Sequence, residues 1–188
     1  LFTKIIMAKP IEYGIEKLAA NQACYLAQEL ANLIDTVHNQ GLSFDRLTDL
    51  VPEEYAVHWQ ETLKFLQIIT ERQLIDASDR RNRLLRAQID LWRQNPPVKR
   101  IVAAGTTAAF PLMKELVKTV LSLEKGELYL AGIDKFLEDE AWEKIDETHP
   151  QHELKELLDY LTVRREDIPD LQAPENFGRE VLISEVMR

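Results

Sequence analysis

The chain has one cysteine, Cys24. It can therefore close no internal disulfide and build no thiolate zinc or iron–sulfur site. Between Ala23 and Tyr25 in a helical pattern, Cys24 reads as a small buried hydrophobe. Basic charge is also scarce, with 23 Lys and Arg against 32 Asp and Glu for a net charge of −9. Affinity for phosphate comes mostly from clustered Lys and Arg, so free-standing capture of nucleic acid is disfavoured and any such role needs a local patch. No apolar run reaches the ~18 residues of a membrane span. The opening LFTKIIMA, with Lys4 inside it and Pro10 close behind, reads as an ordinary packed segment rather than a signal peptide. Internal repeats and low-complexity tracts are missing as well. These absences predict a reducing, cytoplasmic setting without a membrane partner. The 188 residues, 45% apolar, suffice for one domain with a real core, or a domain plus a partial one.

What is present is mostly helical periodicity. Leu26, Leu30, Leu33, Ile34 and Val37 follow helical spacing, with Asn21 as the expected N-cap and Gly41 where the helix should stop. Ser43 is read as the cap of a short turn through Leu47 and Leu50. Pro52, Glu53 and Glu54 then open a long helix to about Gln73, whose stripe includes Tyr55, Trp59, Leu63, Phe65, Leu66, Ile68 and Ile69. Asp76 is expected to start the next helix, with Asp79 in its first turn and Leu84, Leu85, Ala87, Ile89 and Trp92 on its core face. Pro96 and Pro97 end that helix, because each ring removes a donor and pushes the preceding residue out of the α region.

After the prolines the pattern changes. Arg100 to Asp134 reads as a strand, a small-residue turn, a helix opened by Pro111 and a second strand ending at Asp134. Helical segments are expected at Phe136–Ile145 and Gln151–Leu161, then a loop around Pro169 and Pro174, then a last segment from Arg179. The predicted organisation is a helical subdomain over 1–95, a βαβ unit over 96–134 and a helical continuation over 135–188. Two parallel strands alone leave most of their ladder in water, so the unit calls for neighbours. With no initiator Met at Leu1 and no stop signal after VLISEVM, the chain reads as an excised piece of a larger protein.

Candidate chemistry is thin. The turn AAGTTAAFP stands where α/β nucleotide-binding domains place their active groups. It has neither the Lys of a Walker A loop nor the acidic pair of a Walker B strand end. It reads as a structural or degenerate turn, with the alternative that Gly105, Thr106 and Thr107 contact a phosphate through N–H groups or hydroxyls. Asp134 has no evident partner carboxylate, and Glu138, Asp139 and Glu140 read as a solvated helix start. His149 and His152 lack the third ligand that a metal site needs. His58, beside Trp59, has no Ser or Cys nucleophile placed to work with it. No residue is assigned a catalytic or metal-binding role. The one basic concentration is DRRNRLLRAQIDLWR, where Arg80, Arg83 and Arg86 recur about a turn apart with Arg81 beside them. It is either a solvated face partly neutralised by Asp76, Asp79 and Asp90, or a row able to track a phosphate backbone. On both readings Leu84, Leu85 and Trp92 belong to the core.

Several stretches together resemble the alphaproteobacterial type of AddB, the second subunit of the AddAB helicase-nuclease that processes double-strand DNA breaks. They are VPEEYAVHWQETLKFLQIITE from Val51, IDASDRRNRLL from Ile75, NPPVKRIVAAGTTAAFP from Asn95, LYLAGID from Leu128, the pair Ala141 and Trp142, HPQHELKELLDYL from His149, and REVLISEVMR at the end. The stretch between Thr70 and Ile75 is shorter than the family's. The resemblance implies a mostly α fold: a helical subdomain followed by one small parallel βαβ unit of an incomplete RecA-like, superfamily-one helicase-like domain. It implies a non-catalytic segment of a DNA-repair helicase-nuclease subunit that contributes scaffold and partner contacts, with the parent an ATP-dependent exonuclease. DNA and an AddA-type subunit would be the partners, and Arg80, Arg81, Arg83 and Arg86 the DNA-backbone contacts. ATP, Mg and an iron–sulfur cluster would belong to the parent complex, with no cofactor in this segment, and the missing strands would leave a raw sheet edge that invites dimerisation in a crystal. Two competing functions remain. One is a helical adaptor that binds a protein through an apolar groove near Tyr55, Trp59 and Trp92; the other is a small enzyme acting at the AAGTT turn.

Overall fold

The computed structural model describes residues 2–8, 19–42, 77–171 and 177–187. The chain divides into two compact units, Leu1–Arg86 and Ala87–Arg188. The expected long helix over 52–73, with Tyr55, His58 and Trp59, lies outside the described residues, as do Ser43, Leu47, Leu50, Asp76 and Pro174.

In the first unit, helix α1 (Phe2–Ala8) lies against α2 (Ala20–Asn39), with Ile6 buried. The buried stripe of α2 is Ala23, Ala27, Leu30, Ile34 and Val37, alternating four- and three-residue steps along one face. Leu26 and Leu33 flank it half-buried. Cys24 corrects the sequence reading: it is exposed, because the inward position beside it is taken by Ala23. The expected N-cap, Asn21, is also corrected. The helix is entered at Ala19, whose N–H donates to the Gln22 side-chain oxygen at 2.9 Å. Gly41 ends α2 as expected. It sits at φ +66°, while its own N–H reaches His38 O and the Leu42 N–H reaches Val37 O at 3.0 Å, the paired closure that a left-handed glycine permits.

Helix α3 runs from Ala77 to Gln94 and stops before Pro96 and Pro97, as the prolines require. Its first half joins α2 through polar groups. Ser78 Oγ donates to Asp35 at 2.5 Å, Asn82 Nδ2 donates to the His38 carbonyl at 2.7 Å, and Arg81 donates to the Asn39 side-chain oxygen. The predicted core face is therefore corrected. Leu84 is 63% exposed, Ala87 is exposed and Leu85 and Trp92 are half-buried, whereas Ile89 is buried at 1%. Leu84 and Leu85 point about 100° apart, so both cannot face one neighbour.

In the second unit, β1 (Ile101–Ala104) and β2 (Gly126–Tyr129) pair in parallel, Ile101 opposite Gly126 and Ala104 opposite Tyr129. Between them α4 (Pro111–Ser122) makes the crossover, with Pro111 at its first turn. The fold is mostly helical with one small parallel βαβ unit. The second strand is shorter than expected. It ends at Tyr129, and Asp134 lies beyond it, itself buried, in a partly exposed loop. The helix expected at Phe136–Ile145 is only α5, Asp139–Glu143, because Asp134 Oδ1 accepts the N–H groups of Phe136 at 2.8 Å and Leu137 at 3.0 Å and holds them out of a helical ladder. Glu138, Asp139 and Glu140 do open it on the solvent side. Helix α6 (His152–Leu161) follows, then a 3-10 turn, Arg165–Asp167, and α7 (Phe177–Met187). Ala108, Val117 and Leu157 form one core cluster with Met113 and Leu128. Leu137, Trp142 and Leu158 form another, and Leu130 touches both.

Candidate functional site

In a parallel α/β unit, ligands bind where the strands' carboxyl ends open. Here that crevice lies between the turn after β1 and the loop after β2. The first turn starts at Gly105, in the left-handed region at φ +66°, with its N–H bonded to Tyr129 O at 3.1 Å. Thr106 Oγ1 accepts the Ala108 N–H at 3.0 Å, which helps hold the buried Ala108 at φ +51°, an unusual backbone for a residue with a Cβ. Thr107 Oγ1 donates to the Glu153 carboxylate. Both hydroxyls of the candidate phosphate turn are thus engaged by the chain itself, one of them with an anion.

The loop after β2 is tied to the same helix. Gln151, the buried N-cap residue of α6, donates from Nε2 to Gly132 O at 2.9 Å and accepts the Asp134 N–H at 3.0 Å. Arg165 is buried, stacks over the Trp142 ring at 4.8 Å, and donates to Asp134 O at 3.1 Å and to Asp139 at 2.8 Å. Asp134 Oδ2 is buried without a hydrogen-bond partner among the described residues. The Asp134 carboxylate otherwise serves its own loop, and the strand-end positions Ala103 and Ala104 supply no second acid. The N-terminus of α6 is therefore bonded to both sides of the crevice, Glu153 to the exposed first turn and Gln151 to the second loop.

Elsewhere the polar groups also pair locally. His149 Nδ1 accepts the Gln151 N–H at 3.0 Å, and His152 Nε2 lies 3.8 Å from Glu156, so the two imidazoles do not converge. Among the described residues no group of three His, Cys, Asp or Glu could hold a metal ion. A cleft of about 580 Å³ opens beside Leu137, Ala141, Ile145 and Val186, with Lys144 and Asp146 on its rim. Lys144 pairs with Glu140 at 2.7 Å. The hydroxyl and then the N–H of Thr148 hold the Asp146 carboxyl below its ordinary range. Glu156 is likewise lowered, first by its bond from Lys114.

On the sheet face away from α4 stands a cluster that the sequence reading did not anticipate. Arg100 donates to both Glu127 oxygens at 2.7 and 2.5 Å and to the Tyr129 hydroxyl at 3.0 Å, and that hydroxyl donates to Glu127 at 2.6 Å. The hydrogen bonds from Arg100 and then Tyr129 hold the Glu127 carboxyl down to about 2. The bond to Glu127 raises the Tyr129 phenol and keeps Arg100 protonated. The signal is strand parity: residues 100 and 102 share a face with 127 and 129 once the register is known.

The basic residues of α3 are all solvent-facing to some degree, but they differ. Arg83 forks onto Asp79 at 3.1 and 2.8 Å, and Arg81 is bonded to Asn39. Arg80 and Arg86 meet no carboxylate among the described residues. Three-residue steps wind Arg80, Arg83 and Arg86 around about 120° of the helix, and Arg80 points away from the Ser78 and Asn82 seam. No family model, no curated protein and no solved structure matches the chain. Among the described residues no helix is long and apolar enough to cross a membrane.

Proposed function

We propose that this chain is a non-catalytic, helicase-like segment of an AddB-type subunit in a cytoplasmic helicase-nuclease that repairs double-strand DNA breaks, where it serves as scaffold beside an AddA-type partner and DNA. The observation that carries the non-catalytic part is the engagement of both turn hydroxyls by the chain itself. A nucleotide phosphate at the β1 turn would meet the Glu153 carboxylate bonded to Thr107, and the strand end offers Ala103 and Ala104 where an acidic pair would hold Mg²⁺. ATP, Mg and an iron–sulfur cluster belong on this reading to other parts of the parent. The RecA-like character of the βαβ unit is part of the same proposal, supported by its parallel pairing and single crossover helix.

Contact with DNA is assigned to α3. Arg80 and Arg86 offer guanidinium groups that meet no carboxylate among the described residues, and Arg83 and Arg81 can exchange their local partners for phosphate oxygens. The net charge of −9 opposes binding by this chain alone, so the contact forms only where a larger complex completes the channel. Replacing Arg80, Arg81, Arg83 and Arg86 by Glu in the intact complex should lower the salt dependence of DNA binding, by about 0.9 in slope for each phosphate that the variant no longer neutralises. An unchanged slope would remove the arginines from the DNA interface.

A further inference from the structure

The two edges of the sheet are not equivalent. At the outer edge of β2, the Gly126 N–H is already taken by Leu123 O at 3.1 Å. On β1, the N–H groups of Ile101 and Gly105 face β2, bonding Lys125 O at 3.0 Å and Tyr129 O at 3.1 Å. Bonding directions alternate along a strand, so Val102 and Ala104 turn their N–H and C=O groups outward. Among the described residues nothing pairs with that side. Val102 is 45% exposed and Ala104 is exposed too.

Natural edge strands are guarded by Lys, Pro, inward charges or bulges. The segment Ile101–Ala104 has none of these. Arg100, the one charge at its start, is neutralised by Glu127 of its own chain at 2.5 Å, so two such strands approaching each other do not repel there. The edge is also self-complementary. When two copies meet about a two-fold axis at Ala103, Val102 of each lies opposite Ala104 of the other, and every outward donor finds an acceptor.

We propose that the outer edge of β1 is a self-association surface on which a second copy of this chain adds its β1 antiparallel, giving a sheet in the order β2–β1–β1–β2. The strands are short, so the pair is weak, with buried area in the transient class below about 1,200 Å². This inference concerns the chain by itself and stands apart from the DNA-repair reading, under which further strands would cover the edge.

Sedimentation velocity on the full chain, from micromolar to sub-millimolar concentration and without DNA, should show a monomer passing into a dimer. In parallel, hydrogen exchange at the Val102 and Ala104 amides should slow with concentration while exchange at Ala103 stays constant. Val102→Pro removes an outward donor and should abolish the dimer. Val102→Thr keeps the N–H and should retain it. A monomer at every concentration, a dimer that survives Val102→Pro in a protein with wild-type circular dichroism, or exchange at Val102 and Ala104 indifferent to concentration would overturn the proposal.

Discussion

The α2–α3 seam and the βαβ core are built from different materials. The first is joined by Ser78 on Asp35, Asn82 on the His38 carbonyl and Arg81 on Asn39. The second is joined by Ala108, Val117 and Leu157 with Leu128 and Met113 around them. A polar seam holds by geometry: each donor must meet its acceptor, and a lone survivor costs the full desolvation of the group left behind. An apolar core holds by area and volume, so its failures scale with the space that is emptied. The contrast teaches that one mostly helical chain can be closed by two kinds of chemistry, of which only one is visible as hydrophobic periodicity.

The comparison can be broken most sharply in the second unit. A Cβ at Gly126 would lie 1.7 Å from Val120 O, so Gly126→Ala must push β2 away from the end of α4. The expected loss is about 3 kcal/mol or more in denaturant unfolding, among the large effects seen for point mutants. Next comes Leu157→Ala, which empties a side chain with no exposed surface and should cost about 2–5 kcal/mol.

The first unit should respond to the opposite chemistry. Asn82→Ala strips the donor from the His38 carbonyl and should cost about 1–3 kcal/mol. Leu84→Ala, on the same helix, should change stability by less than about 0.5 kcal/mol. If Leu84→Ala proved the costlier of the two, the polar seam would be the wrong description of this helix pair.

The smallest effect belongs to the exposed Arg100, Glu127 and Tyr129 cluster. Because folding lowers the Glu127 carboxyl from 4.5 to about 2, its contribution is present above the unfolded value and fades as the pH falls through that window. A carbon-detected titration of the Glu127 carboxyl should give a midpoint near the lower value in the wild type and a return toward the ordinary range in Arg100→Ala. Solvent screening keeps its effect on overall stability slight.

Legibility in the sequence followed the same division. Pro96 and Pro97, Gly41 and Pro111 act through their own backbone restrictions, and each stands where the chain alone indicated a boundary. The βαβ unit was visible because apolar strands and an apolar helix face follow two distinct periods. The inward stripe of α3 was not, since Ser78 and Asn82 are indistinguishable from surface polar residues until Asp35 and His38, more than 40 residues earlier, are known to face them. The end of β2 was misplaced because the apolar run LYLAGI continues past the last ladder bond into a loop whose N–H groups are satisfied by Gln151 and Asp134 instead. At the candidate site, the turn's missing Lys and acids could be read directly. Glu153 and Gln151 could not, because their role depends on where α6 begins in space relative to both loops of its own unit.

The engaged turn is tested most directly by titrating the chain with ATP and Mg²⁺ while following the backbone amide resonances of Gly105, Thr106 and Thr107. With Thr107 held by Glu153 and the β2 loop held by Gln151, the account predicts no saturable shift at these residues. A saturable shift that disappears in Thr107→Ala would contradict it and would restore a nucleotide site to the turn.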